Sequence, residues 1–180
     1  HQHTTKWLRW QRRLVGNNKR AVKGEFLLLA SGEFMSLRSD IEVSRKRLCI
    51  NTQDFSEVAH FAYKTILKKI WNRFTKLGHK AEDYFWINSH IENAIGYQPK
   101  SGEATGAILK DIVPPCDKVW FVGQQTMNEQ PKYWLYEGAL HAVVEILDDM
   151  YFFDFYIVEK KFNWIVSENH HGILIASGEP

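Results

Sequence analysis

Cysteine is nearly absent from this chain of 180 residues: Cys49 and Cys116 are all there is. Two cysteines build no disulfide framework, and no repeated C-x-x-C spacing offers zinc a site. Free thiols in a reducing compartment are expected. Long apolar runs are missing as well. "FLLLA", residues 26–30, is too short for a secretory core and far too short to span a bilayer, and nothing later approaches a span. A soluble, cytoplasmic protein is the expectation. Catalytic signatures are absent too: no G-x-S-x-G elbow, no G-x-x-x-x-G-K-[ST] loop, no G-x-G-x-x-G and no H-E-x-x-H. No cofactor and no metal are therefore expected. Internal repeats and low-complexity segments are likewise missing.

What is present is core material. Apolar residues make up 44% of the chain and aromatics 14%, including seven Trp and eleven Phe, far from a disordered composition. The formal charge of +2 hides an asymmetry. Residues 1–34 carry seven Lys or Arg against two Glu, and residues 35–180 carry 16 basic against 19 acidic groups. The basic arm interleaves Trp7 and Trp10 with Arg9, Arg12 and Arg13, a composition that suits nucleic acid or an anionic surface. "MSLRSDIEVSRKRL" from Met35 reads as a natural start, so residues 1–34 are expected to be an appendage and residues 35–180 one domain.

Periodicity gives the elements. Leu37, Ile41, Leu48 and Ile50 suit a short helix. In "NTQDFSEV", Asp54 or Ser56 is the expected N-cap of a second helix, with Val58, Ala62, Ile66, Ile70, Phe74 and Leu77 on its apolar side and Gly78 as its C-cap. That helix should run about twenty residues. "DYFWINSHI" reads as a strand entering a polar turn, and "EATGAILKDIV" as a helix stopped by Pro114 and Pro115. "DKVWFVG", "KYWLYEG", "FFDFYIVEK", "FNWIVSE" and "GILIAS" read as strands, with the helix "GALHAVVEILDDM" inserted and "EKKF" closing a hairpin. The expected fold is α+β: two N-terminal helices on a mostly antiparallel C-terminal sheet with one inserted helix.

Chemistry concentrates late in the chain. A strand over 162–168 puts Phe162, Trp164, Val166 and Glu168 on one face, with Asn163, Ile165 and Ser167 on the other. Glu168 then ends an apolar face, and Asn169, His170 and His171 follow in a turn. His141 and Glu145, four apart on a helix, could join Glu168, His170 and Glu137 in an acid/base or metal cluster. The plainer reading makes Glu168 and Asn169 acceptors for turn amides. Cys116 follows two prolines with nothing beside it to lower its pKa, so an inert thiol is expected. Glu137, Asp148, Asp149 and Asp154 lie among Tyr133, Trp134, Tyr136, Tyr151 and Phe152, and any of these aromatics left exposed beside carboxylates would suit a basic protein partner.

From Lys118 onward, "KVWFV", "KYWLYEG" and "FFDFYIVEKKFNWIVSENHHGILIASG" resemble a family of small bacterial proteins that carry a domain of unknown function. The "MSLRSDIEVSRKRL" start resembles it more loosely, and residues 1–34 have no counterpart. The resemblance implies a fold and a bacterial cytosol rather than an activity. By analogy of size and style, such proteins look like immunity proteins that bind and block a toxin. The expected partner surface comprises Glu137, Asp148, Asp149, Asp154, Glu168, Asn169, His170 and His171. A hydrolase centred on Glu168, His170 and His141 is the alternative, and nucleic-acid binding through the arm a third.

Overall fold

A computed structural model describes residues 36–84, 86–124 and 131–179. The basic arm, with Trp7, Arg9, Trp10, Arg12 and Arg13, lies outside the described residues. Helix α1 (Leu37–Arg47) starts where the Ser36 hydroxyl accepts the Ser39 N–H, and ends in Arg45, Lys46 and Arg47. It buries Leu37, Ile41 and Ser44 along one side.

Next comes a departure from the sequence expectation. The cap chemistry of "NTQD" closes a turn instead of opening a helix: Asn51 Oδ1 accepts the N–H groups of Gln53 and Asp54. Strand β1 (Phe55–Glu57) follows, so neither Asp54 nor Ser56 is an N-cap. Burial decides this. Phe55 is fully buried and stacks on Tyr136 at 4.8 Å between ring centroids, which outweighs a local cap. Helix α2 (His60–Phe74) begins at Ala59 without a side-chain cap and buries Leu67, Ile70, Trp71 and Phe74. Its 15 residues stop before Gly78, which opens a 3-10 turn (Gly78–Asp83) instead of capping the helix.

"DYFWINSHI" is not a strand either. Ile87–His90 forms a second 3-10 turn, entered through Trp86 with φ of 39°. Ile87 turns into the core while Trp86 turns out, an arrangement no paired strand neighbour enforces. The chain then continues through β2 (Ile95–Tyr97), α3 (Thr105–Ile112), β3 (Val119–Gln124), β4 (Tyr133–Gly138), α4 (Leu140–Asp149), β5 (Phe155–Glu159), β6 (Trp164–Glu168) and β7 (Leu174–Gly178). The strands form a sheet in the order β1-β4-β3-β5-β6-β7-β2, every pair antiparallel. The fold is α+β. The expected turn joins β5 to β6, with the Phe162 N–H donating to the Glu159 carbonyl at 2.8 Å.

Both faces of this sheet are covered. Leu37 and Ile41 of α1, Leu109 and Ile112 of α3, and Val143 and Ile146 of α4 pack on Phe121, Phe155, Ile157, Trp164 and Val166. Leu67, Ile70, Trp71 and Phe74 of α2 pack with Ile87 on Val122, Tyr156, Val158 and Ile165 of the other face. The two N-terminal helices therefore lie on opposite faces. β5 and β6 are buried almost without alternation, and such strands need cover on both sides. Gly138 permits a close approach of β1 to β4: a Cβ there would sit 2.7 Å from Phe55 Cδ2.

Candidate functional site

The start of β5 and the end of β6 meet at one end of the sheet, where Phe155 pairs with Glu168. Asp154, just before β5, lies beside Asn88 and His170 near the α2 face. Glu168 points to the opposite face beside Phe155, as the alternation of β6 requires. Two carboxylates thus flank the same strand ends, and the Asp154 charge raises the cost of ionising Glu168.

Glu168 is 5% exposed and accepts one hydrogen bond, from Thr105 Oγ1 at 3.0 Å. Burial pushes its pKa up, the Thr105 hydroxyl opposes, and the Asp154 charge adds to the rise. Leu147, Met150, Tyr151, Phe152, Phe153 and Phe155 surround it in a small cavity of about 130 Å³. A folded-state pKa above the ordinary 4.5 means the protonated acid favours the fold. Its stabilising contribution is complete below that value and is lost as pH rises through the folded one. Glu168→Gln keeps the Thr105 contact without the charge. It should raise the melting temperature at pH 8 by about 2–4 °C, the shift that goes with roughly 1 kcal/mol in a chain of this length. No gain is expected at pH 4. A variant that melts like wild type at both pH values would show that the ionised Glu168 costs the fold nothing.

On the other face, Trp86, Asn88, Ser89, Asn169, His170 and His171 line an open cleft of about 370 Å³, and Asp154 lies against two of them, Asn88 and His170. Asn169 shapes its rim: Oδ1 accepts the N–H groups of His171 (3.0 Å) and Ile173 (3.1 Å), and Gly172 completes the turn with φ of 69°. Asn169 therefore serves turn amides as expected, whereas Glu168 does not. The turn brings the two imidazoles within 4.0 Å of each other instead of sending them apart as in a strand. His170 Nδ1 lies 3.6 Å from Asp154 Oδ2, and its ring is tilted 6.2 Å from Trp86. Burial raises the Asp154 pKa, while the two histidines and the His170 amide pull it down; the rise prevails. Asn88 Nδ2 donates to Asp154 Oδ2 over a long 3.4 Å.

The sequence cluster does not assemble as a whole. Glu137 sits near the far end of the sheet, where β4 pairs with the end of β5 through β3, and Lys160 holds it at 2.7 Å. His141 and Glu145 lie on the exposed side of α4, whose buried residues are Ala142, Val143, Val144 and Ile146. The His141 end of α4 follows Gly138, at the opposite end of the strands from Glu168. Among the described residues, no three His, Cys, Asp or Glu side chains form a group that could hold a metal ion. Asp149 is occupied by Ser44 and Arg47, and Asp148 accepts the Gly106 N–H. Cys116 is half-buried, and burial pushes its thiol pKa up, which fits an inert thiol.

Asp154, Glu168, Asn169, His170 and His171 do come together, and the sequence missed what surrounds them. Trp86 was hidden inside an apparent strand, and Asn88 inside what read as a turn. The positive φ of Trp86 has no sequence signature, because left-handed backbone is ordinarily a glycine or asparagine conformation.

A protein-family model described as "Family of unknown function (DUF6756)" matches residues 33–180. No curated protein and no solved structure matches the chain.

Proposed function

The chain belongs to the DUF6756 family, whose function is unknown, and we propose that it is a non-catalytic protein-binding module that docks a basic partner at the Asp154–Glu168 end of its sheet. One observation carries this. Of the six large hydrophobic side chains that stand exposed among the described residues, Tyr84, Trp86, Tyr151 and Phe152 flank this end. Isolated exposed apolar residues need no explanation, but aromatics gathered around carboxylates do. Aromatic anchors supply affinity on desolvation, and acidic neighbours attract a basic surface.

A toxin-neutralising immunity protein fits this description, with binding rather than chemistry as its action. The free thiols Cys49 and Cys116 suit a reducing compartment, which supports a cytoplasmic location. No helix of the described residues is long and apolar enough to cross a membrane. Catalysis at this end is the weaker reading. His170 and Asp154 could exchange a proton, but the hydroxyl that lines the cleft, Ser89, donates to the Trp86 carbonyl at 2.8 Å.

Site-specific photocrosslinking in the source cell tests the proposal. A photoreactive phenylalanine at position 86 or 152 should yield the same discrete adduct with one basic protein. At Phe61, 89% exposed on the first turn of α2, it should yield none. Adducts as heterogeneous at 86 and 152 as at 61 would end the docking assignment.

A further inference from the structure

We infer that the Trp86–His170 cleft is the seat for a single arginine side chain of that partner, its guanidinium held by Asp154 and Asn88 and stacked on the Trp86 indole. The inference rests on the docking surface above and names the group that enters it.

The floor of the cleft is short of donors. Asn88 is 4% exposed, and its Oδ1 has no hydrogen-bond partner. Reversing the amide would not help, because it would place an oxygen against the Asp154 carboxylate. Asp154 has the His170 backbone N–H, but its side-chain donors stand far off, Asn88 Nδ2 at 3.4 Å and His170 Nδ1 at 3.6 Å, both long for hydrogen bonds to an acidic group. A carboxylate offers about four acceptor positions, and an unmet buried acceptor is costly. The group that fits carries several N–H donors and no acceptor, which describes a guanidinium.

The wall points the same way. Two other indoles are covered by the chain's own cations: Lys160 lies over Trp120, and Arg38 over Trp134. Among the described residues no Lys or Arg lies over Trp86, which is 56% exposed and faces the cleft. Cation stacking on an indole is worth more there than on any other ring. An ammonium is a compact point charge with no flat face, whereas a planar fork reaches two acceptors edge-on while its face rests on the ring. The volume of about 370 Å³ leaves room for the side chain and the water it does not displace.

The probe is Nα-acetyl-arginine methylamide, titrated into the full chain while backbone amide resonances are followed by NMR. Shifts should saturate with a dissociation constant on the order of 1 mM. They should map to residues 86–89, 154 and 169–172. The citrulline counterpart, equal in shape but neutral, should bind at least tenfold more weakly, and the lysine counterpart several-fold more weakly. Asp154→Asn should abolish saturation. Trp86→Ser, an exposed change that leaves the core intact, should weaken the arginine probe about tenfold and serves if the Asp154 variant misfolds. Equal binding of arginine and citrulline, shifts that map elsewhere, or no saturable shift would overturn the inference. Such a failure is separable from that of the docking surface: a partner still crosslinked at position 86 leaves docking in place with another group in the cleft. Arginine binding without any crosslinked partner leaves the cleft and removes the partner.

Discussion

Trp71→Ala is expected to destabilise the protein by about 3–5 kcal/mol, a large part of the 5–15 kcal/mol that holds a typical domain folded. Trp71 is fully buried on α2 and has the largest volume among the wholly buried side chains. It meets Tyr156 edge-on at 5.1 Å and Tyr133 at 5.4 Å between centroids. Its removal opens a void that the sheet, held by ladders on both sides, cannot close. Trp71→Phe should cost much less, about 1–2 kcal/mol. The indole Nε1 has no hydrogen-bond partner, so phenylalanine surrenders volume while relieving an unmet buried donor. Urea denaturation with an unchanged m-value decides the matter. Equal losses for the two variants would show that the ring volume phenylalanine keeps does not anchor α2. The proposed docking site rests on this contact, because Ile87, between Trp86 and Asn88, packs in the same cluster.

Substitution at Trp86 should do the reverse. Trp86→Gly is expected to lower partner affinity on the order of 30-fold, the effect of losing an aromatic hot spot worth about 2 kcal/mol. Stability should hold or rise by up to about 1 kcal/mol. The backbone at Trp86 is left-handed, a conformation that costs a side chain roughly 1–2 kcal/mol and a glycine nothing, although glycine adds entropy to the unfolded chain. A strained, exposed tryptophan beside a histidine and a carboxylate is better explained by what it binds than by what it packs against. Paired surface-plasmon and thermal-melt measurements separate the terms. A variant that binds normally, or one that unfolds, removes Trp86 from the docking surface.

These two tryptophans also mark how far the sequence could be read. Alternation along 162–168 placed Trp164, Val166 and Glu168 on one face and Ile165 on the other, as they lie, but it also put Phe162 with Trp164, whereas Phe162 sits in the turn with a positive φ and packs on the Ile165 side. The hairpin turn through Lys160, the strands β3 to β7, and helices α1, α3 and α4 were also legible. Each depends on residues within a few positions of one another, where period and turn chemistry act directly.

The candidate site was legible only in part. "ENHH" announced itself, but Asp154 and Asn88 are 66 residues apart in the chain, and Thr105 and Glu168 are 63 apart. Nothing local sets Asp154 against Asn88 and His170, or Asp149 against Ser44 and Arg47. Cap residues at 51–54 were also ambiguous, because the same side-chain oxygens close a turn or start a helix. The sequence by itself determined an α+β chain with an antiparallel sheet, a carboxylate ending an apolar strand face, and a polar His-His turn. The tertiary structure decided which helix covers which face, how β1 displaces a helix cap, and that Trp86 stands outside while Trp71 stands within. Those outcomes follow from burying two faces of one sheet at once, a constraint set by residues far apart in the chain that no local window contains.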